Sequence, residues 1–383
     1  MIYRKLGSTG ITVSAVALGC EGFAGKSAAE ARELMDFAIA GGVNFIDIYA
    51  SDPELRSVLG AALRGRRDGF VIQGHIGSAW KNGQYERTRD PEESRTAFAD
   101  LLARLETDHI DVGMIHYCDA EQDLRTVTAP GGLLDYAEEL KKAGKIRAVG
   151  VSSHNPVVAE KLVATGRIEV LMFSVNPCYD LQPPDEDVEK LWADETYTAS
   201  YHNFNPERER LYELCGRRGV AIDVMKAFAG GDLLKADQSI FGRAMTPVQA
   251  LEYALSRPAV AAVMAGCRDK DELAAALAWC EAAPEERDYA SVLAGVEKCS
   301  WSGHCMYCGH CAPCPAGIRV AEVNKFLNLA LAQEHLPETV REHYLALTHR
   351  AAECIGCGAC EKRCPFNVAV REKMRAALRI FGC

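Results

Sequence analysis

The sequence has no apolar run near the roughly 18 to 20 residues that a membrane-spanning helix needs, and it has no basic block. The first absence excludes a helical membrane span. The second, with a formal charge of −10 at pH 7, argues against nucleic acid or anionic lipid as a partner. The opening Met1-Ile2-Tyr3-Arg4-Lys5 leads into no apolar stretch, so no signal peptide is expected and the chain reads as cytoplasmic. Low-complexity tracts are missing too. Ordinary charged and apolar fractions, 25% and 48% of 383 residues, predict a folded protein of one large and one small domain.

Cysteine is abundant, at sixteen residues, and half of these crowd into two short motifs near the C-terminus. In a cytosolic chain such crowding points to metal and not to disulfides. The motifs are Cys305, Cys308, Cys311, Cys314 before Pro315, and Cys354, Cys357, Cys360, Cys364 before Pro365. A 4Fe-4S cubane needs four thiolates, and C-x2-C-x2-C lets one tight turn deliver three, with Gly309, Gly356 and Gly358 permitting close backbone approach. The cysteine before proline commonly serves the other cluster of a pair. Cys305, Cys308, Cys311 and Cys364 are therefore expected on one cluster, and Cys354, Cys357, Cys360 and Cys314 on the other. The first motif has two residues, not three, before its last cysteine. Zinc sites, or clusters that only staple a small helical module, are the alternatives.

From about residue 13 to residue 279, short β-branched runs alternate with amphipathic stretches such as Ala28–Ala40 and Pro206–Arg218. Strands should end near Leu18, Asp47, His75, His116, Val151, Val175, Met225 and Met264. Eight βα units in about 270 residues predict an α/β fold of the closed (β/α)8 TIM barrel type. Residues 77–91 and 179–205 are longer than barrel connections require, and both leave the strand ends where barrel enzymes build active sites; the second is a candidate lid. The βα rhythm stops near residue 284, which divides a barrel over 1–284 from a mostly helical, two-cluster ferredoxin-like domain over 285–383. Helices are expected there over 320–334 and 337–350.

Cys20, Asp47, His75, His116, His154, Cys178 and Lys226 all fall at or just past predicted strand ends, so their side chains can share one pocket. A carboxylate such as Asp47 would orient a nearby imidazole, which makes His75 and His116 the favoured acid and base. Lys226 could hold a phosphate or carboxylate.

The chain also resembles the aldo-keto reductase superfamily, specifically members with an appended 4Fe-4S module. The resemblance rests on Tyr3-Arg4-Lys5-Leu6-Gly7, Gly42-Val43-Asn44-Phe45-Ile46-Asp47, Arg104-Leu105 through Ile110-Asp111, Ile115-His116, Gly144-Lys145-Ile146-Arg147, Gly150-Val151-Ser152 and Met225-Lys226. It implies an N-terminal hairpin closing the barrel bottom and a catalytic Asp, Tyr, Lys and His. Asp47 matches the aspartate and His116 the histidine, but Asp52 occupies the tyrosine slot and His75 the lysine slot. Tyr49 is near in sequence, yet its register points it elsewhere, so a phenol placed as proton donor is missing. For NAD(P)H, the resemblance implies Ser152, Ser153 and His154 at the carboxamide, Asn176 just beyond the sixth strand, Lys226 on the phosphate side and Arg268 in the adenosine-phosphate loop. Met172, Met225, Ala275 and Ala276 depart from the family pattern.

Three functions fit these residues. In the favoured one, two 4Fe-4S clusters exchange electrons with a small carbonyl or unsaturated substrate at the barrel mouth, fed by a ferredoxin or flavodoxin-type donor. The others are a non-catalytic electron-transfer or docking protein, and an ordinary NAD(P)H-dependent reductase with histidine as acid.

Overall fold

Runs such as Val71-Ile72, Ala148-Val149 and Ala221-Ile222 are buried on both faces, as strands of a covered parallel sheet must be. The structure is a computed structural model and describes every residue except 188, 189, 191–200, 295, 297, 298, 301, 302, 332–335 and 337. A first hairpin pairs β1 (Tyr3–Lys5) with β2 (Thr12–Ser14). Then follow β3 (Val16–Gly19), β4 (Phe45–Ile48), β5 (Val71–Ile76), a second hairpin of β6 (Ser78–Lys81) and β7 (Gln84–Arg87), β8 (Val112–Ile115), β9 (Ala148–Ser153) and β10 (Val170–Ser174). The later strands are β11 (Tyr201–His202), β12 (Ala221–Met225), β13 (Val260–Gly266) and β14 (Cys299–Ser300). Eight of them close into one barrel in the order β10-β12-β13-β3-β4-β5-β8-β9. The expected (β/α)8 fold is therefore present.

Helix starts are written locally. Pro53–Leu63, Pro91–Arg104, Pro156–Ala164 and Pro206–Arg218 each open on an Asp or Asn cap followed by proline. The cap oxygen accepts orphan backbone N–H groups, and proline is pre-set for the first helical position.

Alternation sorts the strand residues between two cores. Ile46, Ile72, Val149, Leu171 and Val224 face the helices, whereas Phe45, Val71, Val112, Met114, Val170 and Met172 fill the lumen with Leu6, Ile11 and Val13 of the first hairpin. Gly150 makes room for this packing: a Cβ there would sit 2.7 Å from Met114 Cε.

Above the apolar layer the lumen turns polar. Gln73 Nε2 donates to Asp47 Oδ1 at 3.0 Å and to Asp223 Oδ2 at 2.8 Å. Because β5 and β12 lie opposite each other in the ring, the second bond crosses the lumen. Gln73 Oε1 and Asp223 Oδ1 are buried with no hydrogen-bond partner among the described residues. Burial, and to a smaller degree the charge of Asp47, push the Asp223 carboxyl up to about 7.

The C-terminal part is mostly helical, with Val320–Leu331, Glu338–Leu345, Ala359–Arg363 and Val370–Phe381. The helix expected over 337–350 stops at Leu345 instead, where the Arg350 guanidinium donates to the Leu345 carbonyl and a 3-10 turn, Ala351–Glu353, leads into Cys354. Residues 332–335 of the helix expected over 320–334 lie outside the described residues. The module packs on the barrel's outer helices: a Cβ on Gly216 would meet Leu329 at 3.1 Å. β11, in the long connection after β10, pairs with β14 and ties that connection to the module. Residues 188, 189 and 191–200 of the candidate lid lie outside the described residues. No described helix is long and apolar enough to cross a membrane.

Asp223 gives a test of this polar layer. Its carboxyl is raised from an ordinary 3.8 to about 7, so across that window the folded chain holds a proton the unfolded chain lacks, and stability declines as pH rises through 7. Asp223→Asn should remove the decline, stabilising the protein more at pH 8 than at pH 5 by about 1.4 kcal/mol per pKa unit crossed. Thermal unfolding at the two pH values measures it; an equal effect at both contradicts it.

Candidate active site and cysteine cradle

β4, β5 and β8 are consecutive in the ring, and Asp47, His75 and the residue just past β8, His116, meet at its mouth. His75 Nε2 lies 3.1 Å from Asp47 Oδ1, and His75 Nδ1 lies 2.6 Å from His116 Nδ1. His116 Nε2 lies 2.6 Å from the Tyr85 hydroxyl. Asp47, His75 and His116 are 4%, 2% and 8% exposed, whereas Tyr85 is 42% exposed, so this hydrogen-bonded row runs from the interior to solvent.

Tyr85 supplies the phenol that no strand-end position predicts. It lies on the second hairpin, whose turn residues Asn82 and Gly83 have φ of 52° and 77°. Positive φ at both positions fits the tight hairpin turn that Asn-Gly favours, and this pair was the available sequence signal. The hairpin is fixed over the mouth by arginines: Arg89 Nη1 donates to the His116 carbonyl at 2.8 Å and Arg87 Nη1 to the Tyr117 carbonyl at 3.0 Å, while both pair with Asp123. Tyr117 sits at φ 54°, and its N–H donates to Ser152 Oγ at 2.7 Å, so the backbone after His116 is held from both sides.

Tyr49 corrects the register expectation. It follows the end of β4, where strict alternation no longer applies, and its ring stacks parallel to His116 with centroids 6.1 Å apart. Burial and the carboxylate of Glu21, which accepts the Tyr49 hydroxyl, push that phenol well above its ordinary range. Burial drives the His116 imidazole well below its usual value, and the positive potential of His75, Arg89, His154 and Arg87 adds to this. His116 is therefore neutral and carries one N–H.

That single proton constrains the row. With Asp47 accepting, a neutral His75 leaves Nδ1 bare, so His116 donates from Nδ1 and accepts from Tyr85 at Nε2. If His75 carries a second proton, the two links beyond it reverse: His75 donates to His116 Nδ1, His116 Nε2 donates to the Tyr85 oxygen, and the Tyr85 O–H points to whatever lies beyond. One proton on His75 thus decides whether Tyr85 takes up a proton or gives one.

Other anticipated residues sit elsewhere. Asp52 is the cap of Pro53–Leu63, accepting from the N–H groups of Glu54 at 2.7 Å and Leu55 at 3.0 Å, and does not join the row. Ser153 Oγ donates to Asp119 Oδ1 at 2.9 Å, and His154 Nδ1 lies 2.9 Å from Asp119 Oδ2. Asn176 is fully buried, its amide donating to the Lys226 carbonyl and accepting from the Tyr179 N–H. Arg268 pairs with Glu272 on the surface. These residues, assigned to NAD(P)H by resemblance, also make hydrogen bonds or ion pairs within the fold. Lys226 is exposed at the rim after β12, with φ 62°. Burial, and secondarily Asp47, hold the Cys20 thiol far above its ordinary range, while Cys178 Sγ lies 3.2 Å from the Gln182 amide.

In the helical module, Cys314, Cys354, Cys357 and Cys360 line one cavity, walled by Ile318, Val320 and Met374. Cys305 lies within electrostatic reach of Cys308, Cys311 and Cys364. Each grouping thus brings three cysteines of one motif near the last cysteine of the other. Gly358, at φ 70°, supplies the left-handed turn that starts the helix carrying Cys360.

A parallel barrel with its acid-base residues at the C-terminal mouth, joined to a cysteine-rich helical module, defines a redox enzyme class. Residues 15–249 match the Aldo/keto reductase family, and the chain belongs to that family. Residues 348–369 match the 4Fe-4S binding domain. The chain is 29% identical over 186 residues to an uncharacterized oxidoreductase, YqkF, of Bacillus subtilis, covering 48% of this chain and 58% of that protein. It is 30% identical over 189 residues to a 6-dehydroglucose reductase of Novosphingobium aromaticivorans, covering 43% and 58% respectively. It thus spans little more than half the length of these relatives. An aldo-keto reductase structure from Bacillus halodurans, in its holo form, superposes with a TM-score of 0.59 at 25% identity, covering 75% of this chain and 94% of that one. The chain thus joins a barrel of the Aldo/keto reductase family to a segment that matches the 4Fe-4S binding domain.

Capping and catalysis separate at Asp52. Asp52→Asn should leave turnover and stability near wild type, and Asp52→Ala should cost about 1 kcal/mol in chemical denaturation with turnover retained. Loss of turnover in Asp52→Asn would return this residue to the chemistry.

Proposed function

We propose that this protein is an iron-sulfur-dependent oxidoreductase that reduces or oxidises a small carbonyl or unsaturated substrate at the barrel mouth. The observation that carries the reading is the unbroken row from Asp47 through His75 and His116 to Tyr85, which moves a proton to or from the solvent-facing end. Lys226 on the rim would hold an anionic group of the substrate.

Cys305, Cys308, Cys311 and Cys364 would hold one 4Fe-4S cluster, and Cys314, Cys354, Cys357 and Cys360 the other; the shared cavity of the second set supports this crossed ligation. Such clusters, when bound, supply single electrons. A ferredoxin or flavodoxin-type protein suits the role of external donor.

In the reducing direction the chain's own groups do the following. Tyr85 gives its hydroxyl proton to the substrate oxygen or carbon and recovers one from His116 Nε2. His116 recovers one from His75 at Nδ1, and His75 returns to the neutral imidazole beside Asp47. One proton leaves His75 and one reaches substrate in each pass; a two-electron reduction takes two protons, so the row would pass once per electron and be recharged from solvent through Tyr85 between passes. Asp47, pinned by Gln73, stabilises the charged His75. Tyr49 shields one face of His116 from water.

Anaerobic purification should yield iron and acid-labile sulfide for two cubanes, and Cys357→Ser should lower both and cut turnover. Full turnover in a cluster-free variant contradicts the proposal. Tyr85→Phe should lower kcat by roughly 10²- to 10⁴-fold with KM little changed. Because His116 charges only well below its usual range, kcat should stay level through neutrality on the acid side and fall only well below pH 6.5. An acid limb centred near 6.5, absent from His116→Gln, would show His116 titrating normally.

A further inference from the structure

Arg257, just after the helix Pro247–Leu255, is 1% exposed. Its guanidinium donates to the Met306 carbonyl and to the Tyr289 hydroxyl, the latter at 3.0 Å, and lies 4.3 Å from the Tyr253 ring centroid and 5.4 Å from that of Tyr307. Two carboxylates are within electrostatic reach, and neither forms an ion pair with Arg257 among the described residues: Asp180 is already bonded by the hydroxyls of Tyr212 at 2.5 Å and Tyr253 at 2.7 Å and pairs with Arg208 at 3.6 Å, and Glu209 lies 3.7 Å from His304 Nε2. Arg257 Nη1 is buried and has no hydrogen-bond partner among the described residues.

A buried cation without a carboxylate partner is costly, so its surroundings should include an anion. Met306 and Tyr307 flank Cys305 within the first motif, and the Arg257 charge reaches the Cys308 thiol. Four thiolates around a cubane carry net negative charge. The second motif contrasts with this. Cys357 is exposed, Ile355 is 67% exposed, and the arginine at that cavity, Arg371, is on the surface and paired with Glu361. Water screens a surface charge far more than a buried one.

Resting on the two-cluster ligation above, we propose that Arg257 is the counter-charge of the cluster held by Cys305, Cys308, Cys311 and Cys364, and makes it the more easily reduced of the two. Reduction adds negative charge, and a buried cation favours the more negative state. Electrons entering at the exposed second site would therefore settle on the inner one, against the barrel. Arg257 acts through the cluster and is a positioning residue.

The test is an anaerobic potentiometric titration of the holoprotein, followed by electron paramagnetic resonance. Arg257→Met should move the higher of two midpoint potentials to more negative values and leave the lower one in place, while Arg257→Lys, which keeps the charge, should move it less. Equal shifts of both potentials, or no shift, overturn the proposal. Iron and sulfide analysis on the same samples separates this failure from failure of the two-cluster reading, which would show as one cluster or none in the wild-type chain. Should Arg257→Met not fold, ¹⁵N-arginine labelling decides, with Arg363, whose guanidinium donates to the Cys311 carbonyl at 2.7 Å, replaced as Arg363→Gln to remove its signal: nitrogen coupling at the first-reduced cluster is expected, and its absence refutes the proposal.

Discussion

The mouth is organised around the hydrogen bond between the Nδ1 atoms of His75 and His116, 2.6 Å apart. Two nitrogens facing each other can share only one proton, so the state of either ring dictates the other. Everything around the pair serves that constraint. Asp47 anchors the inner end, Tyr85 closes the outer end, and burial keeps His116 neutral so that the row has two states and not many. Gln73 spends both amide protons on Asp47 and Asp223, which locks Asp47 to the far wall of the barrel.

The polar layer is held at a cost. Gln73 Oε1 and Asp223 Oδ1 lack partners in the interior, and each such group costs roughly 1–3 kcal/mol. A barrel selected for stability alone would fill these positions with Val or Leu, as it does one layer below at Val71, Val112 and Val170. The departure coincides with the residues that position the acid-base row, where local inconsistency is expected in a functional protein. The cation at Arg257 is a second case, buried where the cysteine motif meets the barrel.

Much of this was legible beforehand, for definite reasons. Period-two runs and amphipathic stretches such as Ala28–Ala40 are local, so the barrel strands and that helix could be read directly. Cysteine spacing is local too. Asp47, His75 and His116 were readable as a group because strand ends in a parallel barrel converge. Tyr85 was not, because its position depends on a hairpin folding back over the mouth, and Tyr49 was misread because alternation ends with β4 at Ile48. Gln73 and Asp223 pair only once the ring closes, bringing residues 150 apart in sequence within 2.8 Å. Asp52 stands before Pro53, which is itself a cap signal, but the family slot competed with it.

The linkage of the two imidazoles is most directly examined by ¹⁵N magnetic resonance of histidine-labelled protein across a pH titration. When the row takes up one more proton, His116 should stay neutral and move its own proton from Nδ1 to Nε2. Independent titration of the two rings, or a His116 imidazolium near neutrality, would contradict the account.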